Sequence, residues 1–444
     1  MKNKIQLALV TALALGSTSA FATNGDNMIG QGAKSRAMGG VGIATSFGAE
    51  SGLANPAMIN SVKNREIMGA VTVFSPNVSF SSNAMANAMG ADMGGAYPNS
   101  ATVPSADSDA SMNIIPEVSY AARVNDSLVY GVSITGTSGM GVDYDGASNG
   151  AASMTTALQI LKVAVPVAYS VGGLTIAAAP ILQYGSLEIN YATMQGASSN
   201  PTSSDTSYGY ELGAAYQTGG VTIGAVFKSK IDMEYKDNIA SAMTAFGVQS
   251  ITSGDKLSQP SELGVGLSFT EGASTIAIDI KNVAWSEAAG YKEFGWEDQT
   301  VVAMGYQYAT KGWALRVGYN QGKSPIAAKD ASSMMADGGN GYDNGAVNFF
   351  NLAGFPGIVD QHITFGGSYQ LTSALGLDAA VVYAPEVSES FDTTGMTQGM
   401  VYQGAIDQDA PAANAMAAAN AAQSSTADVT HSQMGMTVAL TYKF

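Results

Sequence analysis

The 444-residue sequence has no cysteine, only two histidines and 12% charged residues. It also lacks, after its first two dozen residues, any apolar run long enough to cross a bilayer as a helix. The missing cysteine excludes a disulfide scaffold, thiol catalysis and thiolate metal sites, and suits passage through an oxidising compartment. His362 and His431 lie far apart, with no nucleophile or metal-ligand spacing around either. The Gly39–Gly42 run does not follow a strand, so it is not a dinucleotide loop. No enzyme, metal or cofactor is read from these residues. Nineteen Lys and Arg stand against 35 Asp and Glu, a net charge of −16 that disfavours nucleic acid.

What is present points to export and to strands. Lys2 and Lys4, the apolar run Ile5 to Leu15, and Ala20-Phe21-Ala22 read as a signal peptide over 1–22, with Thr23 the first mature residue. Its removal takes two lysines and moves the net charge from −16 to −18. The last nine residues alternate: Met436, Val438, Leu440, Tyr442 and Phe444 on one face, Thr437, Ala439, Thr441 and Lys443 on the other. Such a strand, with Tyr442 and Phe444 as interface anchors, closes a bacterial outer-membrane barrel. A chain without a spanning helix can sit in lipid only as a closed barrel, because lipid leaves no sheet edge solvated.

Strand-like segments follow near 67–80, 113–124, 127–138, 157–171, 174–192, 207–218, 221–236, 259–270, 274–287, 299–309, 313–322, 360–371, 375–389 and 429–444. Fourteen is an even number, as bacterial barrels require. The expected fold is an all-β transmembrane antiparallel barrel over 65–444. Short turns, such as Asn125-Asp126, Gly172-Gly173, Gly219-Gly220 and Thr372-Ser373, alternate with long connections such as 81–112, 323–359 and 390–428. In 221–236, Ile223, Phe227, Ile231, Met233 and Tyr235 share a face opposite Lys228, Lys230, Asp232 and Glu234. Charge is costly in lipid, so the charged face is expected in the lumen. In 174–192 the apolar parity switches near Gly185, which predicts a β-bulge. Residues 23–64 have no clear strand and too few large apolar residues for a core of their own, so they are expected to fill the barrel as an N-terminal hatch.

Several motifs carry a family likeness. Gly32, Arg36-Ala37, Gly40, Gly42 and Ala44 precede Asn55-Pro56-Ala57. Pro116 to Tyr120, Gly131 to Thr135, Trp285-Ser286, Trp296-Glu297-Asp298, Arg316, Ser324-Pro325 and His362 to Gly366 follow in order. In this the chain resembles the FadL family of outer-membrane transporters for long-chain fatty acids and other hydrophobic compounds. The resemblance implies a small helical hatch that Asn55, Pro56 and Ala57 help to gate. Asn as N-cap and Pro at the first position also make a good helix start in their own right. It further implies capture of a hydrophobic ligand by outer loops, passage to a lumenal pocket, and sideways release into the membrane through an inward kink of the third strand. That kink falls at Thr137, Ser138 and Gly139.

The chain departs from the pattern where acid-transporting members place a base. Gln183 to Tyr191 holds Glu188 and neither Lys nor Arg. Lys228, Lys281 and Arg316 are the remaining ligand-binding candidates. With Arg123, Lys162 and Lys230, they are otherwise expected to pair with Glu117, Glu211, Asp232 or Asp279. Ile239, Met243 and Phe246 share helical spacing and could form an outer capture surface. The expected partners are a hydrophobic small molecule (fatty acid or hydrocarbon), outer-membrane lipid and lipopolysaccharide, and the barrel-insertion machinery during assembly, the protein being a monomer of a Gram-negative outer membrane. A general porin for hydrophilic solutes and a barrel-based surface adhesin or receptor are the competing readings.

Overall fold

The structure, a computed structural model, describes residues 23–92, 103–193 and 196–444. The leader expected over 1–22 lies outside the described residues. Among the described residues, fourteen antiparallel strands close into one barrel. They are β1 (Arg65–Ser82), β2 (Asn113–Arg123), β3 (Leu128–Asp143), β4 (Thr155–Ala164, continued by Val167–Val171), β5 (Leu174–Thr193), β6 (Ser203–Thr218) and β7 (Val221–Lys228). The second half is β8 (Glu262–Glu271), β9 (Ser274–Val283), β10 (Gln299–Ala309), β11 (Trp313–Gln321), β12 (Gln361–Gln370), β13 (Leu375–Asp392) and β14 (Thr426–Lys443). Each expected segment matches one of these strands.

Closure runs along β14 and β1, from Ala427 opposite Ser82 to Lys443 opposite Glu66. Beyond it the Phe444 N–H donates to the Arg65 carbonyl at 3.0 Å, and the Phe444 ring meets Tyr442 edge-on at 4.8 Å. The β14 alternation holds: Met436, Val438 and Leu440 point outward, whereas Thr437, Ala439 and Thr441 are buried inside. Outward aliphatic residues in lipid and inward small polar ones follow from the cost of polar groups in hydrocarbon. Tyr308, Trp313, Tyr369 and Tyr442 are exposed near the short turns, as an interfacial aromatic band requires. Gly172 and Gly219 take φ of +58° and +59° in two of those turns, a left-handed backbone that a side chain disfavours.

Two expectations fail, for one physical reason. No bulge occurs in β5, whose ladders to β4 and β6 run without a slip. Leu187, Ile189 and Tyr191 instead face inward, onto an apolar interior. The parity change in the sequence records a change in what fills the barrel. Likewise β7 ends at Lys228 rather than 236, and Ile231, Met233 and Tyr235 turn inward while Lys230, Asp232 and Glu234 are exposed. The expected lumenal charged face of 230–234 is therefore outside. β3 runs on to Asp143, and β9 stops at Val283 before a short 3-10 turn, Trp285–Glu287.

The interior thus has two halves. Towards the short turns it is polar and holds residues 23–64: a helix α1 (Gly32–Arg36) and the 3-10 turns Gly48–Leu53 and Pro56–Ser61. Towards the long connections it is apolar. There α2 (Ala84–Asp92), α3 (Ile239–Ala245), α4 (Gly341–Gly354), α5 (Thr394–Asp407) and α6 (Ala412–Ala421) gather. Helix α4 inserts Phe349, Phe350 and Leu352, all buried, into that half.

Candidate functional site

The hatch segment is held by buried polar contacts to the strands. Arg36, 1% exposed, pairs through Nη1 with Glu117 of β2 and donates to Thr72 Oγ1 at 2.7 Å. Glu117 also accepts the Gly32 N–H at 2.8 Å. Asp279 of β9 accepts the Gly42 and Ile43 N–H groups at 2.7 and 2.8 Å. Asn55 Oδ1 caps the Pro56–Ser61 turn by accepting from the Ala57 N–H at 3.0 Å. Its Nδ2 donates to the Ile43 carbonyl at 2.7 Å and reaches the Ala214 and Ala225 carbonyls of β6 and β7 at 3.3 Å. Gly213 faces Asn55 Oδ1 so closely that a Cβ there would overlap it. Nearer the short turns, Lys34 Nζ lies 3.4 Å from both Glu50 and Asp378. Burial pushes Glu50 up to about 7, against the pull of Lys34.

A cavity lies between the hatch and the inner wall formed by β3, β4 and β6 to β11, with about 790 Å³ of empty space, its open side included. Lys162, Lys228 and Lys281 line it, as do Glu211, Glu262 and Asp279. Lys281 and Lys228 both pair with Glu262, at 3.1 and 3.8 Å. Glu262 was not among the expected partners; no local pattern marks a carboxylate at a strand's first residue. Glu117 and Asp279, expected to pair with lumenal bases, serve the hatch instead. Arg316 lies outside this cavity, bonded to Gln307 at 2.7 Å and Ser368 at 2.6 Å beside the short-turn opening. Arg123 is used up on backbone carbonyls, including Val62 at 2.8 Å and Asn60.

The third strand is irregular at the expected residues. Its ladder to β2 ends at Thr135 opposite Glu117. Its ladder to β4 slips between Gly136 and Ser138, so that Thr137 is the extra residue. The freed edge turns to the hatch. Ser138 bridges to Asn27, and the Gly139 N–H donates to the Asp26 carbonyl at 3.1 Å. Gly136 to Val142 are buried throughout. Gln259 ties these parts together: Nε2 donates to Asp26 Oδ2 at 3.0 Å, and Oε1 lies 3.0 Å from Ser138 Oγ.

Ile239 and Met243 sit on α3 and Phe246 is its C-cap residue, but all three are buried. Phe246 packs against Tyr191, Phe349 and Phe350, with ring centroids 5.3 to 6.5 Å away. They cover the barrel rather than face outward. Sequence reasoning missed a further group, Trp285, Tyr291 and Trp296, whose rings meet over Gly25. Their uneven spacing in a connection carries no periodic signal. His431 is buried with Nδ1 2.9 Å from the Pro356 carbonyl, and among the described residues no group could hold a metal.

Residues 8–342 match a family model described as outer membrane protein transport protein (OMPP1/FadL/TodX). An uncharacterised protein of Chlorobium limicola is 40% identical over 78 residues, 17% of this chain and 38% of that protein. Among solved structures, a Pseudomonas aeruginosa FadL homologue is similar at a TM-score of 0.63 and 14% identity, covering 94% of this chain and all of the other. The Pseudomonas putida toluene transporter TodX gives 0.61 and 16%, over 95% and 100% of the two chains. The Ralstonia pickettii toluene transporter TbuX gives 0.57 and 16%, over 94% and 99%.

Proposed function

The chain belongs to the OMPP1/FadL/TodX family of outer-membrane transport proteins, and from that premise we propose that it takes up neutral hydrophobic compounds and releases them sideways at β3. The family is one of transport channels, not enzymes, and the barrel stands in the outer membrane. The observation that carries the release route is the edge of β3: where its ladder to β2 stops, Ser138 and Gly139 bond to the hatch turn Asp26–Asn27. An unpaired strand edge is not tolerated in lipid. Moving the turn therefore unfastens the edge and opens the gap between β2 and β3 in one step.

The ligand preference rests on charge balance. The three lysines lining the cavity face three carboxylates, and Glu262 already occupies Lys228 and Lys281. A carboxylate bound at Lys228 or Lys281 would have to displace Glu262 and leave it buried and unpaired. A neutral ligand meets no such competition, and the apolar half of the barrel stabilises it by about 25 cal/mol per Å² of apolar surface buried. Hydrocarbons of the kind named for TodX and TbuX fit this preference better than fatty acids.

Uptake of radiolabelled ethylbenzene and hexadecanoate by cells producing the protein tests the reading. Ethylbenzene uptake above the vector control, at least equal to that of hexadecanoate, is expected. Uptake of hexadecanoate alone, abolished by Lys228→Met or Lys281→Met, would overturn the neutral preference. A steady large conductance of the purified protein in planar bilayers would favour a general porin instead.

A further inference from the structure

Short turns face the periplasm in bacterial barrels, and a second pocket opens among them. It lies beside α1, at the short-turn ends of β10 to β14, with about 640 Å³ of empty space, its open side included. Its charge is one-sided. Lys34, Lys311, Arg316 and Lys443 line it, and among its described lining residues Asp378 is the one carboxylate. In a chain of net charge −16, that excess of cations runs against the composition. Asp378 is also engaged already. Lys34 Nζ lies 3.4 Å from it, Thr441 Oγ1 donates to it at 3.1 Å, and Ser368 Oγ donates to its other oxygen.

Arg316 gives the pocket its depth. It points inward from β11 and is 6% exposed. Nε donates to Gln307 Oε1 at 2.7 Å and Nη1 to Ser368 Oγ at 2.6 Å, so neutral groups hold the guanidinium in place. Among the described residues no carboxylate lies within ion-pair distance of it, and Nη2 has no protein partner. Arg36, also buried, has Glu117; Arg316 has no such counter-charge. A buried charge is costly unless it is paired, and a guanidinium is a planar fork of five donors suited to a carboxylate. Further out, Lys311 is exposed and makes no ion pair among the described residues, while the Lys443 side chain is 60% exposed and 4.0 Å from Glu66. Much of the remaining wall is hydroxyl and amide, from Gln307, Thr310, Gln370 and Thr441. Such a wall suits a hydrophilic molecule.

We infer that this pocket binds a small dicarboxylate from the periplasm. One carboxylate is taken by the free N–H groups of Arg316, and the other is held at the rim by Lys311 and Lys443. Charge-assisted bonds to a fixed guanidinium supply the affinity, and the exposed lysines add attraction that salt screens. The site is separate from the cavity lined by Lys162, Lys228 and Lys281, since no residue lines both. It is therefore a second binding site, for a hydrophilic anion, on a barrel whose other cavity faces the hatch from within.

Calorimetric titration of the full-length protein in a non-ionic detergent tests it. Succinate should bind saturably, its diamide should give no heat of binding, and octanoate should bind at least about tenfold more weakly. Arg316→Gln removes the guanidinium and leaves an amide that can still bond Gln307 or Ser368. It should weaken succinate by about tenfold or more. Lys311→Gln, at an exposed position, should weaken it by about threefold. Heat-modifiable gel mobility shows whether each variant has assembled. Three results would each overturn the site. The first is no saturable heat with succinate. The second is octanoate binding as tightly as succinate. The third is a succinate affinity unchanged in an assembled Arg316→Gln barrel or, should that variant not assemble, in Lys311→Gln.

Discussion

Replacing Arg36 by Met should loosen the hatch without unfolding the barrel. The substitution keeps most of the apolar stem and removes the guanidinium that pairs with Glu117 and bonds Thr72 at 2.7 Å. Glu117, 2% exposed, then keeps only the Gly32 N–H within hydrogen-bond distance. Removing one partner of a buried ion pair costs about 3–5 kcal/mol, because the other charge stays buried. At about 1.4 kcal/mol per tenfold, the open fraction of the hatch should rise by roughly two to three and a half orders of magnitude. The β1–β14 seam does not depend on Arg36 for its ladder, so heat-modifiable mobility should be unchanged. Hydrogen exchange read by mass spectrometry should show faster exchange at Ala37, Met38 and Gly40, whose N–H groups bond to Ala33 and Ser35 carbonyls. Adding Glu117→Gln should slow that exchange again, since the cost lies in the stranded carboxylate. Unchanged exchange in Arg36→Met, or a double variant no slower than the single one, would refute this reasoning.

Burial raises Asp26 to about 6, against hydrogen bonds from Tyr291 and Gln259, with Lys162 and Glu262 the charged groups that bear on it. The docked turn therefore binds a proton more tightly than the released one, so docking is strongest below about pH 4, weakens by up to about tenfold per unit towards pH 6, and is flat above. Exchange protection at residues 24–28, corrected for intrinsic rate, should follow that slope, and Asp26→Asn should remove it. Asn55→Ala loses the Ala57 cap and the bonds to Ile43, Ala214 and Ala225. It should cost about 1–2 kcal/mol of local hatch stability, read as faster exchange over 55–61. Lys281→Met leaves Glu262 with Lys228 alone, and should leave ethylbenzene uptake within about twofold while changing the stability of the cavity wall.

The barrel was legible because each spanning strand repeats a period of two under a strong constraint, oily outside and small or polar inside. That rule misled where the inside is itself apolar. By that rule Leu187, Ile189 and Tyr191 signal a slipped strand, and Ile231, Met233 and Tyr235 a lipid face, yet all six line the apolar half of the interior. Asn55-Pro56 could be read as a helix start because capping is local chemistry. Its clamp on β6 and β7, more than 150 residues away, could not. The aromatic group shares this limit. Trp285, Tyr291 and Trp296 gain meaning only from Gly25, which the chain brings to them by folding its N-terminal segment into a barrel that the rest of the sequence builds.

The most direct measurement deletes Thr137. That residue is the extra one between the Gly136–Leu161 and Ser138–Ile160 pairs, so its loss makes the ladder to β4 continuous in register and, by straightening β3, lets its other edge pair with β2 beyond Thr135, where that ladder now ends. Uptake of radiolabelled ethylbenzene is then compared with ethylbenzene binding to the same purified protein. Sideways release at β3 predicts uptake reduced at least about tenfold with binding retained. Undiminished uptake through a barrel whose third strand is demonstrably continuous would contradict it.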